Sequence, residues 1–134
     1  MTRLEETLDD LSLLGDRQER IDYLIAIAEE FSNPGPEVVP RTEETRVPGC
    51  ESEAYIAGDG DGRFRIAVDN PQGISAMALA VLLERSFSGN PSAARDLSED
   101  VVARIFGNEL SMGKSMGLTG MVRKVKALLF TPRP

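Results

Sequence analysis

The chain has 134 residues, 28% of them charged and only 5% aromatic, with no tryptophan, no histidine and a net charge of −7. A chain of this size builds one core, so a single domain over residues 1–134 is expected, and the missing histidine excludes a Ser-His-Asp triad, a Cys-His nucleophile pair and an imidazole metal ligand. Residues 1–109 carry 10 basic and 22 acidic side chains, whereas residues 110–134 carry Lys114, Arg123, Lys124, Lys126 and Arg133 and no acid. An acidic body repels phosphate backbones, and five dispersed cations without interleaved aromatics make no nucleic-acid footprint, so no nucleic-acid partner is expected.

Leu4, Leu8 and Leu11 mark a first amphipathic helix ending near Gly15, and Asp16 with Glu19 reads as a capping box for a second. In that second helix Ile21, Leu24, Ile25, Ala28 and Phe31 follow the spacing of a buried stripe, which Asn33-Pro34-Gly35-Pro36 ends. Residues 37–49 read as a loop with room for a short edge strand over 42–47. Two strands over about 53–58 and 63–68 flank Asp59-Gly60-Asp61-Gly62, whose Asp-Gly pairs suit a hairpin turn. Phe64, Ile66 and Val68 then face one way, and Arg63 and Arg65 the other. Asn70 and Pro71 read as the N-cap and first-turn proline of a central apolar helix over about 72–86. A turn near 92–95, a short helix over about 98–106, a flexible loop over 107–117 and a last helix over about 118–130 complete the chain. The fold class expected is α+β: a small antiparallel sheet of two to three strands packed against N-terminal, central and C-terminal helices.

The longest apolar run, residues 74–83, is about half a bilayer crossing, and the acidic first ten residues do not read as a targeting peptide, so no membrane partner and a cytoplasmic setting are expected. The solitary cysteine, Cys50, agrees with a reducing compartment. One thiol without histidine is too little for a structural zinc or an iron–sulfur cluster within one chain. Arg63 sits at the next expected ligand position of the Asp59-Gly60-Asp61-Gly62 turn, which favours a plain turn over a calcium loop.

Cys50 is the candidate chemical centre, because it follows Pro48 and Gly49 and precedes Glu51 and Ser52, a turn-forming context that presents the sulfur rather than packing it. Thiol–persulfide exchange needs only a thiolate, a leaving sulfur and access. With no second cysteine, a sulfur carried on Cys50 cannot leave as an internal disulfide and must go to another molecule. Three roles stay open on the residues alone: a sulfur carrier, a non-catalytic binding regulator and a thiol redox switch.

Arg46-Val47-Pro48-Gly49-Cys50-Glu51-Ser52-Glu53-Ala54-Tyr55 before the hairpin, with Leu110-Ser111-Met112-Gly113-Lys114-Ser115-Met116-Gly117-Leu118 before the last helix, resembles the SufE family of sulfur acceptors. The likeness runs from about Leu8 to Leu129. It implies that Cys50 takes persulfide sulfur from a SufS-like, pyridoxal-phosphate (PLP)-dependent cysteine desulfurase, stimulates that enzyme and passes the sulfur to a SufBCD-like iron–sulfur scaffold. The PLP belongs to the partner, and no cofactor is expected on this chain. By the same resemblance Gly49, Glu51 and Ser52 shape the loop of Cys50, Arg46 lies beside it, and Asn70, Lys114, Ser115 and Gly117 neighbour it. Asn70 also reads as a plain helix cap, and Lys114 and Ser115 as solvation or capping of the last helix. Glu51 stands where the family commonly has a neutral residue, Tyr55 where it has tryptophan, Ala76-Met77 where it has a Lys-Gly pair, and Lys114 where it has arginine.

Overall fold

The computed structural model describes residues 1–107 and 110–130. Five helices and one hairpin follow in the order α1 (Arg3–Leu13), α2 (Arg17–Ala28), β1 (Ala54–Gly58), β2 (Phe64–Val68), α3 (Ile74–Phe87), a 3-10 turn (Pro91–Ala94), α4 (Val101–Phe106) and α5 (Met112–Phe130). The expected α+β class holds.

Local capping sets the N-terminal helices. Thr2 caps α1 by accepting from the Glu5 amide, and Asp16 caps α2 by accepting from the Gln18 amide. The expected α2 stripe holds except at one position: Ala28 is buried and Ile21, Leu24 and Phe31 are half-buried, but Ile25 is 39% exposed while Ile27 is packed away. The α1 start is fixed to the centre of the molecule by Leu4, whose amide donates to Ser86 Oγ on α3 at 2.9 Å.

The hairpin pairs Ala54 with Val68, Ile56 with Ile66 and Gly58 with Phe64. Ile56, Phe64, Ile66 and Val68 are buried and Arg65 is exposed, which is the expected alternation. Gly60 and Gly62 take positive φ in the turn, and Asp59 accepts there from the Asp61 amide and from Arg63. The expected edge strand over 42–47 reduces to one bridge, Arg46 to Tyr55, because Pro40 and Pro48 bracket it and leave little length to pair. The sheet therefore has two strands.

Nine of the residues of α3, from Ala76 to Phe87, are buried, so the helix is the central one that its composition predicts. It starts later than expected, at Ile74 with Gly73 as N-cap. Asn70 instead accepts from the Gln72 amide through Oδ1 and from the Gly73 amide through its carbonyl, closing a turn that carries Pro71 before the helix. Glu84 reaches across from α3 to accept from the Ile66 amide at 2.6 Å and from Arg65, and burial pushes its carboxyl above the usual range.

The largest departure is α5. It begins at Met112, so the second half of the expected loop over 107–117 is helix, while its Asn108 and Glu109 lie outside the described residues. Ser111 starts it by accepting from the Lys114 amide through Oγ at 3.2 Å and from the Ser115 amide through its carbonyl at 2.9 Å. Gly113, Gly117 and Gly120 read as breakers at about 1 kcal/mol each, but packing of this helix against the Cys50 loop and the core overrides that cost. The 118–130 portion carries the expected stripe, with Leu118, Met121, Val122 and Val125 buried.

Candidate functional site

Two backbone anchors hold the Cys50 loop. On its N-terminal side the Val47 amide donates to the Ala54 carbonyl at 2.9 Å, extending the hairpin by one rung. On its C-terminal side the Ser52 and Glu53 carbonyls accept from the Asn70 and Asp69 amides, both at 3.1 Å. Between the anchors Cys50 is held only by long bonds, its amide to Val47 at 3.4 Å and its carbonyl from Glu53 at 3.3 Å. Gly49 at φ +72° turns the chain where a side chain would be strained, and Glu53 accepts a positive φ of 55° to redirect it into β1.

The loop lies on glycine. A Cβ on Gly117 would sit 2.8 Å from Cys50 Cα, one on Gly120 3.3 Å from the Pro48 carbonyl, and one on Gly73 2.8 Å from Ser52 Oγ. One on Gly113 would meet the Glu51 carboxylate at 2.7 Å. Glycine at these points lets the backbone approach α5 and the start of α3 closely, which draws the sulfur inward.

Cys50 is only 7% exposed. The turn-forming context suggests a sulfur that is presented or at least presentable; the residue is largely buried, with its Cα packed over Gly117. The thiol is not sealed in, because it forms part of the wall of an open cavity of about 410 Å³. Glu51, Ser52, Asn70 and Lys114 share that wall, together with Gln72, Gly73, Ile74, Ser75, Ala76 and Leu118.

Of the residues expected at the site, the structure thus gathers Cys50, Glu51, Ser52, Asn70 and Lys114 around one cavity. Gly49 and Gly117 shape it from behind the loop. Arg46 does not reach it: its side chain is half exposed and faces Glu43 at 3.9 Å, because the bridge to Tyr55 directs it away. Ser115 is on another face of α5, where its carbonyl accepts from Thr119 Oγ1 and its side chain borders a separate groove with Met112. Gln72, Gly73 and Ser75 were not anticipated. Their signal in the sequence is the polar run after Asn70-Pro71, which reads as a helix start and gives no hint of what the start faces.

The electrostatics of the cavity follow from two helix ends. α3 contributes its first residues, Ile74, Ser75 and Ala76, and α5 contributes Lys114 from its first turn. Both helices therefore bring N-terminal residues to the cavity that Cys50 lines, and Gly73 supplies no side chain to cap the first. Lys114 adds a full charge, whereas Glu51 sets a carboxylate on the rim. Behind the second anchor, Arg41 donates to both oxygens of Asp69, and this pairing, with help from Asn33, holds the Asp69 carboxyl below the usual carboxylate range. Arg41 also donates to the Val39 and Pro34 carbonyls, so the long 33–41 segment is tied to the residue that anchors the loop.

A family model described as SufE, an Fe–S metabolism associated domain, matches residues 5–129. The chain belongs to the SufE family. It is 26% identical over 136 residues to an uncharacterized SufE-like protein of Rhizobium meliloti (strain 1021), covering 95% of this chain and 94% of that one. In structure it is similar to the solution structure of a hypothetical protein from Thermus thermophilus, with a TM-score of 0.67 and 19% identity over 94% of this chain and 92% of that one. That likeness supports the fold of this SufE-family chain, and membership places it in iron–sulfur metabolism. Among the described residues no helix is long and apolar enough to cross a membrane.

Proposed function

We propose that this SufE-family protein is a sulfur carrier whose acceptor is Cys50. The Cys50 thiolate attacks the outer sulfur of a persulfide on a SufS-like, PLP-dependent cysteine desulfurase. The donor's S–S bond breaks, the donor sulfur leaves as a thiolate that takes up the Cys50 proton, and Cys50 carries the persulfide. The same exchange run toward a downstream thiol passes the sulfur to a SufBCD-like iron–sulfur scaffold. Docking also stimulates the desulfurase by clearing its persulfide. No electrons are exchanged with an outside oxidant or reductant in either step.

The observation that carries this reading is a solitary thiol, 7% exposed, on the wall of an open cavity with Lys114 and two helix N-termini around it. A persulfide held there is shielded from bulk thiols, which limits its loss on the way to the recipient. The chain has no histidine to act as a base, so activation of the thiol comes from the docked donor. A cytoplasmic setting fits a protein whose working group is an unpaired thiol.

The test is to incubate the protein with the organism's cysteine desulfurase and free cysteine and to measure intact mass without reductant. The expected result is one added sulfur atom on wild type and none on Cys50→Ser. Desulfurase turnover with Cys50→Ser equal to wild type would overturn the carrier role and leave a binding regulator.

A further inference from the structure

We propose that the outer face of α5, beside the Cys50 loop, docks an acidic, apolar-tipped segment of the protein that delivers the sulfur. This rests on the sulfur-acceptor reading above and adds the surface that the donor grips. Met112 and Met116, one helical turn apart on α5, are 80% and 64% exposed, while Leu118, Met121, Val122 and Val125 of the same helix are buried. A scattered exposed apolar residue is ordinary, but these two stack on one face and border two concavities. One groove, of about 450 Å³, runs from Met112 and Met116 to Val102 and Leu110. The other, of about 550 Å³, runs from Met116 and Gly120 to Pro48 and Gly49, the back of the Cys50 loop. Met116 lines both, so the face is continuous with the loop that carries the thiol. Methionine adapts its shape to a partner surface.

Charge selects the occupant. Every acid of the chain lies in residues 1–109, and residues 110–134 carry five cations. Arg123 lines both grooves and Lys124 lines the second, and no described residue lining either is acidic. Arg123 is paired with Glu99 at 2.7 Å, whereas the Lys124 ammonium donates to the Glu44 carbonyl at 2.8 Å and has no carboxylate partner among the described residues. A segment with apolar residues over the methionines and a carboxylate toward Lys124 satisfies both features. The acidic body repels the same segment elsewhere, so approach is oriented toward the thiol loop.

The experiment measures binding of the organism's cysteine desulfurase by calorimetry to wild type, to the double variant Met112→Glu with Met116→Glu, and to Leu13→Glu. Leu13 is 82% exposed on α1 and controls for loss of a surface apolar residue. The double variant is expected to bind at least about tenfold more weakly, and Leu13→Glu within about twofold of wild type. Wild-type binding is expected to weaken as salt is added. The melting temperature and the rate of Cys50 alkylation by iodoacetamide are expected to stay at wild-type values in the double variant. Unchanged desulfurase binding by the double variant, with wild type still accepting sulfur, overturns the docking face and leaves the acceptor reading standing. No sulfur on wild-type Cys50 overturns both. A wild-type dimer in sedimentation that the double variant dissolves assigns the face to a second copy and overturns the proposal.

Discussion

Cys50 lies directly over Gly117, with the Cys50 Cα 2.8 Å from the point that a Cβ on residue 117 would occupy. Backbone atoms cannot yield by a rotamer change, so the side chain missing from residue 117 is what lets the loop lie flat on α5. Gly117→Ala forces the loop away from the helix. We expect faster alkylation of Cys50 by iodoacetamide and a lower melting temperature, despite the better helix propensity of alanine. An alkylation rate equal to wild type would show that the loop is not seated by this contact.

Gly113 gives the opposite expectation. A Cβ there meets the Glu51 carboxylate, the far end of a flexible and exposed side chain that swings aside at little cost. Gly113→Ala should therefore stabilise the protein by about 0.5 to 1 kcal/mol through α5 propensity alone. Urea unfolding checks this, and a loss of stability would mean that Glu51 is fixed in place.

Ser111 is the start signal of α5 through its Oγ, which accepts from the Lys114 amide. Ser111→Ala removes a cap and should cost about 1 kcal/mol in urea unfolding, with Ser111→Asp restoring the wild-type midpoint. Equal midpoints for Ser111→Ala and wild type would show that packing alone fixes the helix start.

Asp69 predicts the acid limb of stability. Its folded pKa is lowered by Arg41, so the pair contributes stability above the unfolded aspartate pKa of about 3.9 and loses it as pH falls through the lower folded value. Asp69→Asn should melt lower than wild type at neutral pH, and the gap should close as the pH falls below the unfolded value and through the lowered folded one. A gap independent of pH would assign the loss to geometry rather than charge.

Much of the fold was legible because its signals are local. Asp16, the leucines of α1, the Asp-Gly turn and the alternation of Phe64, Ile66 and Val68 each act within a few residues. The α5 start was not legible, because Gly113 and Gly117 weaken helix locally and serve a contact with residues some sixty positions earlier in the chain. The α2 stripe missed at Ile25 for a related reason: Ile25 and Ile27 are equally apolar, and only the packing of α2 on α3 decides which is buried. For the site, Cys50 stood out by being solitary and turn-flanked, but its inward direction depends on glycines of two distant helices. Arg46, placed beside Cys50 by the family resemblance, faces Glu43 instead, because a matching motif position does not fix which side of a bridge a side chain takes.

The anchors at Val47 and Ser52 also set a leash. Cys50 is three chain steps from Val47, and an extended chain spans at most about 3.6 Å per step, so it can stray no more than about 11 Å from that tether while the hairpin stays intact. Any group that reacts with Cys50 must therefore enter that short radius, so the hairpin, by staying paired, fixes where on the molecular surface the thiol can be met.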